Sequence, residues 1–196
     1  MAEIWMGILL SREQNKEGLR QYKLFDIKNC EENSKYGILC TDKDFDNKLT
    51  KENDLLFRLV YPNKLVYIDK EKENLLVPSQ LCIIRTNKEI LNPIFLKWYL
   101  ESKIGKEKIM LEMKGSSIQK ISVASLRNIE IPEIQIEKQR NIEDLINLWK
   151  KEKETLESLI KSKEKLYNSI IEEIAIEREE DVKPKWNKQT TLEDMW

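Results

Sequence analysis

The sequence predicts an α+β protein: a mixed α/β globular domain over residues 1–135, followed by one long C-terminal coiled-coil helix over residues 136–178. Three observations carry this reading. Apolar residues recur in a seven-residue rhythm from Ile142 to Ile170, and no Gly or Pro interrupts residues 139–180. Before residue 132, short β-like apolar runs alternate with turn residues and short helical patterns. The chain holds only 5 Gly and 5 Pro while 35% of its residues are charged, which fits a long solvated helix and argues against a turn-rich all-β fold.

The first part divides at its turn residues. Runs at 22–27, 54–60, 64–67 and 80–85 are predicted strands, with Tyr61-Pro62-Asn63 as the turn between the second and third. Asn92 and Pro93 open a helix as N-cap and first helical residue. That helix carries Phe95, Trp98, Tyr99 and Leu100 towards Ser102; the spacing of its aromatic residues marks them as core, and Gly105 is its expected stop. A basic helix over 106–114 follows, then a turn at Gly115-Ser116-Ser117 and a segment over 118–121. A short helix capped by Ser122 and a strand over 129–131, closed by Pro132, complete the domain.

On the long helix, Ile142, Trp149, Leu156 and Ile170 fall on a positions and Leu145, Leu159 and Leu166 on d positions. Lys163 breaks the a series; Glu152 and Glu173 break the d series. Ile146, Ile160, Tyr167 and Ile174 widen the stripe. At a rise of about 1.5 Å per residue the helix is roughly 60 Å long, more than the adjacent domain can cover, so most of its stripe needs another helix. A parallel pair in register buries Lys163 against Lys163. An antiparallel pair brings Lys163 to Glu152 about a midpoint between Glu157 and Ser158. The expectation is an antiparallel homodimer whose seam uses Ile142, Leu145, Trp149, Leu156, Leu159, Leu166 and Ile170.

Composition removes several functions. The chain has no histidine, hence no Ser-His or Cys-His nucleophile, no imidazole base and no imidazole metal ligand; no catalytic residue is expected. Cys30, Cys40 and Cys82 are odd in number and lack C-x-x-C spacing, so neither a disulfide framework nor a zinc site is expected, and the thiols are read as buried or inert. No run approaches the roughly 18 apolar residues of a membrane span, and the first ten residues lack the features of a signal peptide. A cytoplasmic protein without membrane contact is expected. Residues 1–135 carry a net charge of +2 and the remainder −3, so nucleic acid, if bound, is held by local patches. Asn92-Pro93-Ile94-Phe95 is similar to the Asn-Pro-Pro-Phe motif of amino-methyltransferases. Ile94 replaces the second Pro and no Gly-rich turn for a methyl donor precedes it, so the segment is read as a helix cap.

An ordered series of short motifs resembles the target recognition domain of type I restriction-modification specificity subunits. It comprises Glu52-Asn53-Asp54-Leu55-Leu56-Phe57, with Asn53 where that family usually has Gly, and residues 76–85 ending in Ile84-Arg85. Leu91-Asn92-Pro93-Ile94-Phe95-Leu96 with Tyr99-Leu100 follows, and then Gly115-Ser116-Ser117-Ile118-Gln119-Lys120-Ile121. Leu126, Ile129-Glu130-Ile131-Pro132, Gln139 and Ile142 close the series, with Glu133-Ile134 where Leu-Pro more often stands. Residues 4–12 and 22–27 resemble the family's opening more loosely.

A full specificity subunit has two recognition domains and two helices, and this chain has one of each. The resemblance therefore implies a non-catalytic, half-length subunit that forms a homodimer and reads a bipartite double-stranded DNA target. It would position adenine-specific DNA methyltransferase subunits, which carry the methyl donor S-adenosylmethionine, and a restriction nuclease subunit is a further implied partner. No cofactor is expected on this chain. The residues by themselves leave a second reading open, a coiled-coil adaptor that binds protein and no nucleic acid.

Base reading needs donors and acceptors presented from loops, and phosphate binding needs cations. Three polar segments supply both. They are Ser11, Arg12, Gln14, Asn15 and Lys16; Arg58, Tyr61, Asn63 and Lys64; and Lys114, Gly115, Ser116, Ser117, Gln119 and Lys120. Residues 97–120 add a modest excess of six Lys over three acids. The tail, residues 179–196, with Trp186 and Trp196, reads either as a partner-docking segment or as a disordered end.

Overall fold

The computed structural model describes residues 2–15, 17–26, 37–113 and 119–181, with side chains of the last helix described to residue 175. In chain order the elements are β1 (Ala2–Met6), α1 (Leu10–Glu13), β2 (Arg20–Leu24), β3 (Gly37–Thr41), β4 (Leu55–Arg58), β5 (Leu65–Tyr67), β6 (Leu81–Thr86), α2 (Pro93–Glu101), α3 (Lys103–Glu112), α4 (Val123–Arg127) and α5 (Ile136–Asp181). Single 3-10 turns stand at Asp46–Lys48 and Lys70–Lys72.

Four strands pair antiparallel in the order β1-β6-β4-β5, and β2 with β3 makes a separate two-stranded ribbon. The two central strands, β4 and β6, are apolar on both faces because both faces are covered. Leu55, Phe57, Cys82 and Ile84 turn to one side, where Phe95, Leu96, Tyr99 and Ile109 of α2 and α3 meet them. Leu56, Leu81 and Ile83 turn to the other, against Phe25, Ile68, Leu75 and Val77. Tyr22, Leu39 and Phe45 form a smaller core under the ribbon.

The strand and cap expectations hold over most of this frame. Asn92 Oδ1 accepts from the N–H groups of Ile94 and Phe95 at 2.9 and 3.1 Å, and Ser122 Oγ accepts from Ser125 N at 2.9 Å. Asn53, in the position where the resembled family has Gly, sits at φ 74°, a left-handed conformation that Asn tolerates better than most residues. Asp54 next to it is 1% exposed and takes a two-pronged ion pair from Arg85, with Nε and Nη2 at 2.7 and 2.6 Å. The two motifs on the central strands are therefore joined by one electrostatic clamp, with Asp54 buried and Arg85 half-buried. The Arg85 guanidinium also stacks 4.9 Å from the Trp5 ring, and its pKa is raised, first by the hydrogen bond to Asp54.

Three expectations fail for physical reasons. Gly105 does not stop α2: Ser102 does, its hydroxyl donating to Tyr99 O at 2.6 Å and accepting from Gly105 N at 3.2 Å. Gly105 lies buried inside α3, where a Cβ would collide with the Tyr99 carbonyl and the Leu100 backbone, so its role is close helix approach. Residues 129–131 pack Ile129 and Ile131 on the core without becoming a strand, because no strand edge pairs with them; Arg127 instead reaches the Ile4 carbonyl on β1. Trp98 is 47% exposed, although Phe95 and Tyr99 of the same helix are buried.

The chain separates into two compact units, one ending at Asp144 and one starting at Leu145. The opening turns of α5 belong to the first. There Gln139, 2% exposed, accepts from Asn92 N at 2.9 Å and donates to Ile90 O and Ile134 O at 3.1 and 2.6 Å. Asn92 Nδ2 donates to Glu143 Oε2 at 2.5 Å, and Ile142 packs against the globular core. In the second unit, Leu145, Trp149, Leu156, Leu159, Leu166 and Ile170 are all between 40% and 65% exposed.

Candidate nucleic-acid interface

The register of the four-stranded sheet decides where the polar segments emerge. Met6 stands opposite Cys82, Arg58 opposite Leu81 and Phe57 opposite Leu65. The ends of β1 and β4 and the starts of β5 and β6 therefore share one end of the sheet. The chain after β1, which leads through α1 with Arg12 to Gln14, leaves from this end. So does the β4–β5 turn, with Tyr61, Asn63 and Lys64 following Arg58.

The third segment is laid directly on the second. Tyr61 N donates to Gln119 O and Ile121 N to Leu59 O, both at 2.9 Å, with Val60 and Lys120 as the bridged pair between them. The first segment is tied in through the loop before β6: Gly7 N donates to Leu81 O, Ile8 N to Val77 O and Leu59 N to Gln80 O, at 3.0, 2.8 and 3.0 Å. Gly7 is glycine here because a Cβ would strike the carbonyl oxygens of Val77 and Pro78. The second and third segments thus share one edge, and the chain that leads into the first leaves from the same end of the sheet.

Individual side chains divide by how freely they face solvent. Arg12, Gln14, Tyr61, Lys64, Gln119 and Lys120 are exposed, while Arg58 and Asn63 are half-buried. The Asn63 amide donates to Arg58 O at 2.8 Å, and Arg58 N donates to Lys64 O at 2.9 Å, so Asn63 closes the turn that presents its neighbours. The Tyr61–Pro62 peptide within that turn is cis. Asn15 Nδ2 donates to Asp42 Oδ2 at 2.6 Å, fastening the first segment to the ribbon side. Among the described residues Arg12, Arg58 and Lys120 have no ion-pair partner, in contrast to Arg85, Arg20 and Lys97. Lys16, Lys114, Ser116 and Ser117 lie outside the described residues, as do Cys30 and residues 182–196 of the tail.

No protein-family model matches the chain, and no curated protein matches it significantly. Solved structures do. The HsdS subunit from Thermoanaerobacter tengcongensis superposes with a TM-score of 0.65 over 97% of this chain and 52% of that one, at 14% identity. The chain has the fold of a type I restriction-modification S subunit. A chain from a structure of complex assembly and conformational transition in the type I R-M system gives a TM-score of 0.59 with the same identity and coverages. At 14% identity the likeness is one of fold, and this chain spans about half the length of both of those chains.

Within that S-subunit fold the sheet end described above offers donors, acceptors and cations. Among the described residues no three His, Cys, Asp or Glu side chains are grouped to hold a metal, and no helix is long and apolar enough to cross a membrane. Burial pushes the Cys82 thiol up to about 12, so it stays protonated, and the thiol is enclosed in the core. A cleft of about 890 Å³ lies in the globular unit, lined mostly by aliphatic residues that include Ile4, Ile84, Leu96 and Leu126.

One residue of the site escaped the sequence reading. Gln80 is exposed, and its carbonyl accepts from Leu59 N next to the second segment. The available signal was the Pro78-Ser79-Gln80 turn before a strong strand.

Proposed function

We propose that this chain is a half-length, non-catalytic DNA specificity subunit that reads one half of a bipartite target. The observation that carries the proposal is the joining of two polar segments at one end of a sheet, with the chain into a third leaving from the same end, in a fold that is that of an S subunit. Residues 1–135 act as the reader and residues 136–178 as the pairing helix. Arg12, Arg58 and Lys120, with Lys16, Lys64 and Lys114, contact phosphates; Gln14, Tyr61, Asn63, Ser116, Ser117 and Gln119 face base edges or position the loops that do.

A second copy pairs through the exposed stripe from Leu145 to Ile170, which sets two identical readers about a two-fold axis and favours an inverted repeat with a spacer. Adenine methyltransferase subunits carrying S-adenosylmethionine supply the chemistry, and a restriction nuclease subunit joins where one is present. The complex works on double-stranded DNA in the cytoplasm.

The adaptor reading makes the opposite prediction for the same side chains. Arg58→Ala with Lys120→Ala removes two phosphate-binding cations from each reader, so the slope of log affinity against log salt should shallow by about 0.9 for each phosphate no longer neutralised. Binding measured by fluorescence anisotropy across a salt series, with the methyltransferase partner present, is the test. Unchanged affinity and slope would reject the DNA-reading assignment of this sheet end.

A further inference from the structure

The stripe of the second unit carries more information than its apolar character. Ile142 packs on the globular core, so the seam open to another helix begins at Leu145. Its last strong a residue is Ile170. Laid antiparallel on itself about the midpoint between Glu157 and Ser158, this segment sets every core position against another core position. Leu145 meets Ile170, Trp149 meets Leu166, Glu152 meets Lys163, and Leu156 meets Leu159, each pair occurring twice.

The two polar breaks in the interval are thereby the two that face each other. A slip of one heptad in either direction ruins this. Glu152 then falls against Ile170 or Leu156, and Lys163 against Leu159 or Leu145, leaving four charges buried without partners. Parallel pairing in register sets Glu152 against Glu152 and Lys163 against Lys163. Apolar contact alone does not distinguish these arrangements well, because Leu and Ile fill most layers in all of them.

We infer that the Glu152–Lys163 pair is the partner-selecting device of this chain: it commits α5 to a second copy of the same chain, antiparallel, in one register. This rests on the reading that α5 pairs antiparallel with a second copy, and it adds the charge pair that selects that partner and rejects other registers. A helix lacking an acid and a base at these two positions, even with the same apolar stripe, would bury an unpaired charge and be rejected. The two readers of the complex are therefore identical, and their spacing is fixed by a charge pair rather than by apolar area. Both residues are exposed in the single chain, so changing either leaves the fold of the chain itself intact.

The test uses the full chain and variants of the seam, with association measured by sedimentation equilibrium and folding by circular dichroism. Glu152→Lys alone and Lys163→Glu alone should each weaken self-association by at least about tenfold, since each places like charges together twice. An equal mixture of the two single variants should form a heterodimer about as tight as the unaltered dimer, and the double variant Glu152→Lys/Lys163→Glu should recover self-association. Recovery by the double variant is specific to the antiparallel register, because in a parallel pair the exchange leaves like charges together. If both single variants associate as tightly as the unaltered chain, or if the double variant stays monomeric while folded, the selecting role is overturned and dimerisation survives. An unaltered chain that is monomeric throughout would overturn the dimer reading as well.

Discussion

The globular unit and the exposed length of α5 are stabilised by opposite means. In the unit ending at Asp144, central strands are buried on both faces, and ties that span the sequence, such as Arg85 to Asp54 and Gln139 to Ile90, lock the frame. From Leu145 on, the described side chains other than Ile146 are exposed and the internal ties are short-range pairs such as Lys150–Glu154 and Lys153–Glu157, each worth about 0.3–0.5 kcal/mol. One region has its core inside it; the other has half a core and needs a partner for the rest. Folding and association are therefore separable here, and substitutions should fall cleanly into one class or the other.

Asp54→Ala offers the largest effect and strikes the globular unit alone. It strands the partly buried Arg85 guanidinium and the Lys51 N–H that now donates to Asp54 Oδ2 at 2.8 Å, and should cost about 3–5 kcal/mol in urea unfolding followed by tryptophan fluorescence. Association of the folded fraction should be unchanged. Leu156→Glu is the converse: it sets a carboxylate against Leu159 of the second copy and should weaken the dimer by about 100-fold or more, near 3 kcal/mol, with the unfolding of the globular unit unmoved. A dimer that survives Leu156→Glu would place the seam elsewhere.

Gln139→Ala is smaller and tests where the two regions meet along the chain. Loss of its three hydrogen bonds leaves Asn92 N buried and unpaired, so a destabilisation of about 1–3 kcal/mol is expected in the same urea titration. If it altered dimerisation and left unfolding untouched, the start of α5 would belong with the association region. Smallest of all, Lys97→Ala removes an i,i+4 pair with Glu101 at 2.5 Å on the surface of α2 and should shift stability by no more than about 0.5 kcal/mol.

The sequence disclosed these two regions unequally. Helix α5 was legible because its rhythm repeats over many turns and nothing interrupts it, and Asn92 and Ser122 were legible because capping is a local rule. β1 and β3 carry no strand signal of their own, since Ala2–Met6 and Gly37–Thr41 are short and become strands only by pairing, β1 with the distant β6 and β3 with β2. Gly105 was misplaced because its small size serves contact between two helices, a tertiary demand that mimics a stop signal locally.

At the candidate site, residue types could be read from polar loops, but their convergence could not. It depends on Tyr61 meeting Gln119 and Leu59 meeting Ile121, pairings that no local pattern encodes. Gln80 was missed for the same reason. The clamp between Asp54 and Arg85 showed in the sequence as two separate motifs, and only the register of β4 on β6 joins them.

Two identical readers held at a fixed separation on DNA should leave their signature in the sequences they select. The decisive experiment is selection from a randomised double-stranded DNA pool by the dimer assembled with its methyltransferase partner, followed by sequencing of the bound fraction. Enrichment of an inverted repeat with a spacer of constant length is expected, and it should vanish when Leu156→Glu separates the copies. Enrichment of no sequence, or of a single undivided site indifferent to Leu156→Glu, would contradict the two-reader arrangement.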